Sequence, residues 1–481
     1  METITNLAEN RHMTEIEPFG HDSKTPVYGN MRTFFQYIRD HPWFSRRWII
    51  QETVLPPSVI VYIQDTAVDL HVFQTAKDNL EQHIQTACCM SFGMHDHHLQ
   101  EDISVFLRKM VWINNFKTNI IARGVPVDVF FACWFFAGHQ TSIAADLVYS
   151  LLGLVPPNRS ISPDYSRPLS HLFAEVAATH FNEGHHLTFL TSTGMSHKPK
   201  HSERFPSWSI DWTAFDFHMG LKARLFKSTL DKRQRHRSPV VEADRWLHMQ
   251  AFALDEIEEV STLYSYPLAR EDGFFYAQDA YASLRDFGEH LRTHDCLDHS
   301  YPHISKLDKK TGLLKSLGTE TWNEAWCRTM TIDCCQETTA TRRFNSVDSA
   351  FFTEFMILGH QAWGTSDTIQ LSQGRQVPTA AYANDLLRMI MILHKKTKTF
   401  FYTRKGYIGL ASEGIKSGDR VYLVPECTMP MVMRDAPPEL MEGYKGEKRT
   451  ALQIVGCCYL HGAMDGEMDI PEDGLEDVVI V

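Results

Sequence analysis

Apolar residues recur with helical spacing through the first half of the chain. The clearest case follows the i, i+3, i+4, i+7 pattern of an amphipathic helix, at Met31, Phe34, Phe35 and Ile38. This pattern ends near Asp40, because the following His41-Pro42 step disfavours helical backbone. Further helices are predicted at 103–111, 145–152 and 169–181. The first half is therefore predicted to be mainly helical.

The second half changes to short alternating runs that are typical of strands. They lie at 399–403, 407–410, 420–424, 431–433 and 452–459, and glycines separate several of them. A further strand-like run covers 247–260, whereas 381–395 has helical composition. The predicted class is α+β, with a mixed C-terminal half that ends in a small antiparallel β-sheet or barrel.

The length of 481 residues suggests two or three domains. A basic run at 222–237, KARLFKSTLDKRQRHR, carries seven Lys or Arg residues and one acid. It lacks the interleaved aromatics of a nucleic-acid surface, so a solvated linker is the favoured interpretation and a nucleic-acid patch the alternative. The predicted regions are 1–220, a basic linker at 221–245, and 246–481 with its acidic tail.

The charge balance argues against a dedicated nucleic-acid-binding protein. The formal net charge is −12, and seven acids lie at 464–479. Affinity for nucleic acid depends on neutralising phosphates with Lys and Arg, so we predict no nucleic-acid partner. The acidic tail is expected to be a solvated flank or a segment that binds a protein partner.

Compartment signals indicate a cytoplasmic protein. The first thirty residues contain no apolar stretch of the kind found in signal peptides. The longest apolar run, at 129–137, has nine residues, well below the roughly twenty that span a membrane. Ten cysteines are too few for a disulfide scaffold, and six of them form adjacent pairs, so reduced thiols and no membrane insertion are expected.

Linear motifs for nucleotides, metals and nucleophiles are absent from the sequence, including GxxxxGK[ST], GxGxxG, GxSxG and HExxH. Two clusters contain metal-binding residue types. The first is Cys88, Cys89, His95, His97 and His98, and the second is His294, Asp295, Cys296, Asp298, His299 and His303. Neither has the usual spacing of zinc ligands. Polar loops are therefore favoured over metal sites, and no metal or cofactor is predicted.

The best catalytic candidates are His461, Asp465 and Glu467, within the sequence YLHGAMDGEMD. A carboxylate beside a histidine fixes its tautomer and suits it to general acid–base work. The neighbouring glycines instead indicate a turn that ends a strand, and this structural interpretation is favoured. Cys133 and His139 form a second, weaker candidate pair.

Six short tracts follow one another along residues 42–467. They are PWFSRRWIIQE from residue 42, DLVYSLLGL from 146, PDYS from 163, PSWSIDW from 206, FFYTRKGYIGL from 400 with Gly418-Asp419, and HGAMDGE from 461. In this order they resemble the fungal heterokaryon-incompatibility (HET) domain family. The resemblance identifies a set of family-motif residues: Trp43, Phe44, Arg46, Trp48, Gln51, Glu52, Asp146, Tyr149, Asp164, Tyr165, Trp208, Asp211, Trp212, Gly406 and Gly409.

These motif residues are expected to build the scaffold rather than to catalyse a reaction. Buried indole rings give large apolar contacts, and their N–H groups need an acceptor, for which Asp211 is the nearest candidate. Gln51 and Glu52 are expected to form a buried hydrogen-bond network with Arg46. Such a network would fix one packing arrangement, because a half-satisfied network is unfavourable.

The sequence also departs from the family pattern. Tracts like LSYxWG and WIDxxCINQ, which usually precede the PWF tract, are missing. Ala145 and Ile210 stand where the family usually has Arg and Pro. We therefore expect the chain to lack the N-terminal part of the HET domain, the part that resembles TIR-type signalling domains.

The leading functional hypothesis follows from the resemblance. It is a non-enzymatic protein that acts in fungal non-self recognition and cell-death control by contacting protein partners. The alternative is an accessory protein or enzyme of a fungal secondary-metabolite pathway. A third hypothesis is a nucleic-acid-associated regulator that uses 222–237. The sequence does not identify a small-molecule ligand.

Overall fold

The computed structural model describes residues 1–16, 26–86, 97–122, 124, 127–156, 161–182, 187–195, 205–215, 225–229, 236–261, 325, 328–329, 331–336, 341–343, 368–370, 376–378, 398–447, 449–471 and 473–481. The chain divides into two units, residues 1–169 and residues 170–481. The first is mainly helical, and the second contains the large sheet. The α+β class is confirmed. The predicted linker at 221–245 stays a prediction.

The first unit contains a run of helices and one β-hairpin. The helices are α1 (Glu2–Ala8), α2 (Pro26–Arg39), α3 (Ile49–Val54), α4 (Leu70–Gln85), α5 (His97–Phe116), α6 (Val129–Phe135) and α7 (Asp146–Tyr149). The hairpin strands are β1 (Ile60–Ile63) and β2 (Thr66–Asp69). Helices α2 and α5 confirm the helices predicted from periodicity at 31–40 and 103–111. The helix predicted at 145–152 is shorter than expected.

Helix α5 forms the centre of this unit's core. The ring of Phe106 on α5 lies 5.5 Å from that of Phe35 on α2 and 5.9 Å from that of Phe73 on α4. All three phenylalanines are fully buried, which accounts for the apolar stripe read from the sequence. The buried carboxylate of Asp102 accepts hydrogen bonds from Arg32 and Gln36 of α2. A charged pair thus reinforces the α2–α5 contact.

The second unit begins with α8 (Leu169–Asn182) and continues into strands. The large sheet contains β3 (Val240–Glu242), β4 (Trp246–Val260), β9 (Lys398–Thr403), β10 (Ile408–Ser412), β11 (Arg420–Leu423), β12 (Met431–Asp435), β13 (Thr450–Leu460) and β14 (Glu476–Ile480). Two separate hairpins are β5 (Cys334–Gln336) with β6 (Thr341–Arg343), and β7 (Thr368–Gln370) with β8 (Gln376–Pro378). The strands predicted from alternation are confirmed.

The sheet closes into a barrel because two long strands change neighbours along their length. Strand β4 pairs in turn with β14, β11 and β9. Strand β13 pairs in turn with β14, β12 and β10. The path β4–β11–β12–β13 therefore returns to β4 through β14 at one end and through β10 and β9 at the other. Among the described pairings of this sheet, that between β13 and β14 is parallel and the others are antiparallel.

Two glycines allow the β9–β10 hairpin of the barrel to form, and a buried ion pair connects β12 to the start of β11. A side chain at Gly409 on β10 would meet the ring of Phe401 on β9, so only glycine fits there. Gly406 has a φ of 91°, which the β9–β10 turn requires. The carboxylate of Asp419 is fully buried and binds Arg434 through both oxygens, at 2.7 and 2.8 Å. This pair ties β12 to the loop before β11.

Two charged segments pack more closely than the sequence indicates. In the basic run, Phe226 is buried, and the backbone N–H of Lys227 donates to the carbonyl of Met464. In the acidic tail, Val478, Val479 and Ile480 are fully buried within β14. The expectation of a solvated tail is therefore wrong for its last part, because an apolar run follows Glu476 and Asp477 directly and pairs with β4 and β13 in the barrel.

Several predictions fall on residues that the structure does not describe. The helix predicted at 381–395 and the cluster at His294 lie outside the described residues, as do Cys88, Cys89 and His95. His97 and His98 begin α5. Among the described helices, none combines the length and apolar character needed to cross a membrane.

Candidate functional site

Motif residues from three tracts meet at the carboxylate of Asp146, at the start of α7. The indole N–H of Trp48 donates to Oδ2 at 3.1 Å, and the hydroxyl of Tyr165 donates to Oδ1 at 2.8 Å. Asp146 is buried, so these bonds replace its hydration. The bond to Asp146 raises the pKa of Tyr165. Each carboxylate oxygen thus holds a donor from the same chain.

A second contact fixes the PDYS turn beside this carboxylate. The hydroxyl of Tyr149 donates to the carbonyl of Asp164 at 2.9 Å and receives its backbone N–H at 3.0 Å. The side chain of Asp164 accepts from the hydroxyl and backbone N–H of Ser166, which lowers its pKa. The rings of Tyr149 and Tyr165 meet edge to face at 5.1 Å. Tyr149 and Tyr165 together therefore fix the position of the turn beside Asp146.

The buried arginine of the PWF tract is Arg47, not Arg46. Its guanidinium donates to the backbone carbonyls of Phe136, Cys133 and Leu147. Arg46 and Glu52 are exposed, so the predicted buried network of Arg46 with Gln51 and Glu52 is wrong. Two adjacent arginines cannot be told apart by composition, and the direction of the chain after Pro42–Ser45 decides which one is buried.

Gln51 has a different role from the one expected. A Cβ placed on Gly153 would lie 2.8 Å from Oε1 of Gln51. The glycine of the DLVYSLLGL tract therefore leaves room for this side chain to approach the backbone closely. This close approach brings helix α3 against the 3₁₀ turn Leu152–Leu154.

Cys133 and His139 surround the same arginine. Burial raises the pKa of the Cys133 thiol to about 12, although Arg47 opposes the rise. Burial lowers the pKa of His139 to about 4, and the charge of Arg47 adds to the decrease. At neutral pH the thiol is protonated and the imidazole neutral, and Nδ1 of His139 lies 3.3 Å from the carbonyl of Phe136. A protonated, buried thiol is a poor nucleophile.

Trp43 and Phe44, near the start of the PWF tract, line a groove of about 440 Å³ in the first unit. Their rings meet edge to face at 5.1 Å, and Phe44 also contacts Phe106 of the core. The groove continues along the whole of β1 and beside α2. Most of its lining side chains are apolar, and the polar groups among them include His41, Gln64 and the hydroxyls of Tyr37 and Tyr62.

The PSWSIDW tract forms a turn in the second unit. The indole N–H of Trp208 donates to the carbonyl of Arg245 at 3.2 Å rather than to Asp211, so the predicted indole–Asp211 bond is wrong for this ring. Asp211 instead accepts from the hydroxyl and the backbone N–H of Thr213. Trp208 and Trp212 are both buried. The carboxylate of Asp211 bonds to the nearby Thr213 because aspartate side chains readily accept from groups two residues further along the chain.

The three catalytic candidates occupy the end of β13 and the loop that follows it. Nδ1 of buried His461 lies 3.2 Å from the hydroxyl of Tyr459. Asp465 binds the guanidinium of Arg343 through both oxygens, at 2.8 and 2.9 Å. Glu467 accepts the backbone N–H of Asp465 at 2.6 Å. The loop thus brings the two acids together, while their described partners are Arg343 and the loop backbone.

Arg343 is a residue that the sequence analysis missed. Its guanidinium also binds Asp333, and it lies over the ring of Phe226 at 4.6 Å. Burial lowers the pKa of Arg343, but Asp465 and Asp333 outweigh burial and raise it. No sequence signal links β6 to the loop after β13, since about 120 residues separate them. Within the described ranges, no group of His, Cys, Asp and Glu could hold a metal ion.

Part of the chain matches a known protein-family model. Residues 378–479 match the family model of the Het-6 beta-barrel domain. This stretch contains β9 to β13 and all but the last residue of β14, whereas β4 lies before it. No curated protein and no solved structure matches the chain. Residues 378–479 are therefore similar to the Het-6 beta-barrel domain, a fungal heterokaryon-incompatibility-related family.

Proposed function

We propose that this chain is a cytoplasmic heterokaryon-incompatibility-like protein that takes part in fungal non-self recognition and cell-death control by contacting other proteins. The observation that carries this proposal is the match of residues 378–479 to the Het-6 beta-barrel domain. The six sequence tracts, which begin well before that stretch, extend the same resemblance over residues 42–467.

The state of the best polar candidates supports contact rather than catalysis. Both oxygens of Asp146 hold donors from the chain, and both oxygens of Asp465 hold Arg343. The Cys133 thiol is protonated at neutral pH. A catalytic base or nucleophile needs to reach a substrate in its reactive protonation state. A scaffold role instead makes use of mutually satisfied polar groups.

Deletion of the gene in its source fungus, followed by pairing with a panel of incompatible strains, tests the proposal. In at least one pairing, dead fusion compartments counted after vital-dye staining should become rare. The wild-type gene should restore them, and a gene carrying Asp419→Asn, which weakens the barrel, should restore them less. Cell death that is unchanged in every pairing, by deletion and by overexpression alike, would contradict the proposed role.

A further inference from the structure

One edge of the β1–β2 hairpin is open. The register pairs Val61 with Val68 and Ile63 with Thr66, and the N–H of Leu70 donates to the carbonyl of Val59. In an antiparallel pair, alternate residues direct their N–H and C=O groups toward the partner strand. The backbone groups of Ile60 and Tyr62 therefore point to the other edge of β1. No described strand pairs with that edge.

The open edge borders the apolar groove of about 440 Å³ between β1 and α2. Every residue of β1 lines this groove, and no residue of β2 does. Large aromatic side chains at its rim are exposed to water, with Tyr37 at 71% and Tyr62 at 74% of their surface. Exposed apolar surface of this kind on a soluble protein usually marks an interaction site.

The geometry selects an extended polypeptide as the occupant. Outward N–H and C=O groups on β1 match the backbone of another strand, and the four residues of β1 extend for about 13 Å. A two-stranded hairpin is marginally stable by itself, and a third strand over an apolar surface strengthens it. An added strand would direct every second side chain toward the groove, whose floor includes Phe44 and Met110.

Charge at the rim adds a second requirement. Among the described residues that line this groove and the depression that adjoins it at Thr33 and Pro42, none is Lys or Arg. Asp65, at the hairpin turn, is exposed. Asp65 thus places a negative charge beside Gln64 of the groove, and basic residues beside an apolar segment would complement it.

We propose that this groove binds an extended segment of a partner protein, apolar at alternate positions and flanked by basic residues, as a third strand on β1. The inference rests on the function proposed above for its biological role, since this groove would supply that protein contact. Binding in solution and the response of paired fungal strains are separate measurements. Failure of one therefore does not imply failure of the other.

The probe is a fluorescein-labelled peptide, Lys-Lys-Thr-Val-Thr-Val-Thr-Lys-Lys, titrated into the full chain and followed by fluorescence anisotropy. Tyr62→Pro removes an outward N–H while leaving the β1–β2 hydrogen bonds intact, because proline is tolerated on an edge strand. The matched control, Tyr62→Thr, keeps the N–H and removes the ring. Circular dichroism and the melting temperature establish that both variants are folded.

The proposal expects saturable binding to the wild-type chain that Tyr62→Pro weakens about tenfold or more and Tyr62→Thr weakens less. Exchanging the flanking lysines for glutamates should also weaken binding. Hydrogen exchange should slow on peptide addition in the segment that contains β1. Absence of binding, or equal binding by Tyr62→Pro, would overturn the proposal. So would self-association of the wild-type chain that Tyr62→Pro abolishes, since the occupant would then be a second copy.

Discussion

The barrel and the helical unit differ in whether the edges of their strands are paired with other strands. In the barrel, β14 and the β9–β10 pair join β4 to β13, so that the long strands have neighbours along both sides. In the helical unit, β1 has β2 on one side and an apolar groove on the other. Open edges tend to pair with other chains, and proteins usually cover or close them. The barrel thus pairs its long strands within its own sheet, whereas the helical unit leaves one strand edge available for a partner.

The same contrast appears in the buried charges. In the barrel, the carboxylate of Asp419 is paired with Arg434 in two-point geometry. In the helical unit, Arg47 is buried among backbone carbonyls, and Asp146 is buried between an indole and a phenol. An opposite charge compensates a buried ion more fully than neutral groups do. The barrel should therefore depend most on its ion pair.

The largest expected effect is the loss of this ion pair. Asp419→Asn removes the negative charge and leaves Arg434 facing a neutral amide. Because breaking a buried pair leaves a charge uncompensated, the free energy of unfolding of the barrel should fall by about 3 kcal/mol. Urea unfolding, followed by hydrogen exchange in β11 and β12, measures this loss.

A surface ion pair in the same strands provides the matched control. Arg420 and Asp435 also pair β11 with β12, but the side chain of Asp435 is 78% exposed. Asp435→Asn should change the unfolding free energy by less than about 1 kcal/mol, since water screens exposed pairs. Equal effects of the two substitutions would show that burial does not distinguish these pairs, and the contrast drawn above would lose its basis.

A smaller effect is expected in the helical unit at Asp146. Asp146→Ala would remove the acceptor of both the Trp48 indole N–H and the Tyr165 hydroxyl. Both bonds are then lost and the indole N–H is left without this acceptor, so unfolding of this unit should become easier by about 2 kcal/mol. Hydrogen exchange in α3 and α7 should accelerate.

Tyr165→Phe is the comparison for that variant. It removes one of the same two bonds, from a side chain that is largely exposed. The loss should stay below about 1 kcal/mol because water replaces the missing hydroxyl. If Tyr165→Phe is as damaging as Asp146→Ala, the exposed phenol rather than the buried carboxylate organises the PDYS turn.

The sequence predicts local structure well and distant pairing poorly. Short runs of strand-like residues locate the strands around 399–403 and 431–433, and every residue of both runs is buried. Nothing in the pattern shows that β4 pairs with β9, since about 140 residues separate the paired positions. Strand β14 is not evident from composition, because its acids suggest a solvated tail, whereas Val478 and Ile480 are fully buried.

The motif residues show the same limit. Resemblance to a family names Trp48, Asp146 and Tyr165, but spacing alone does not bring them together, since about 100 residues separate the first two. The choice between Arg46 and Arg47 depends on how the short turn Pro42–Ser45 directs the chain. Each miss concerns a contact fixed by tertiary packing, which periodicity does not contain.

The smallest expected effect is a pH dependence specific to the helical unit. The pKa of His139 is about 4 in the folded chain, against an ordinary value of 6.5, because burial and Arg47 disfavour its charged form. Between these values the unfolded chain binds a proton that the folded chain does not. Stability is therefore fully present above about pH 6.5, falls as the pH drops toward 4, and then levels off.

Since the ring of His139 is partly exposed, the loss should be about 1 kcal/mol. His139→Gln removes the titration while keeping a side chain that can donate to the carbonyl of Phe136. The difference in unfolding free energy between wild type and variant, measured at pH 7 and pH 4.5, isolates this group from the carboxylates that titrate in both. It should appear in exchange of α6 and be absent from β11 and β12. An equal difference in both regions would mean that the two units unfold together, and the comparison between a closed barrel and an independent open unit would fail.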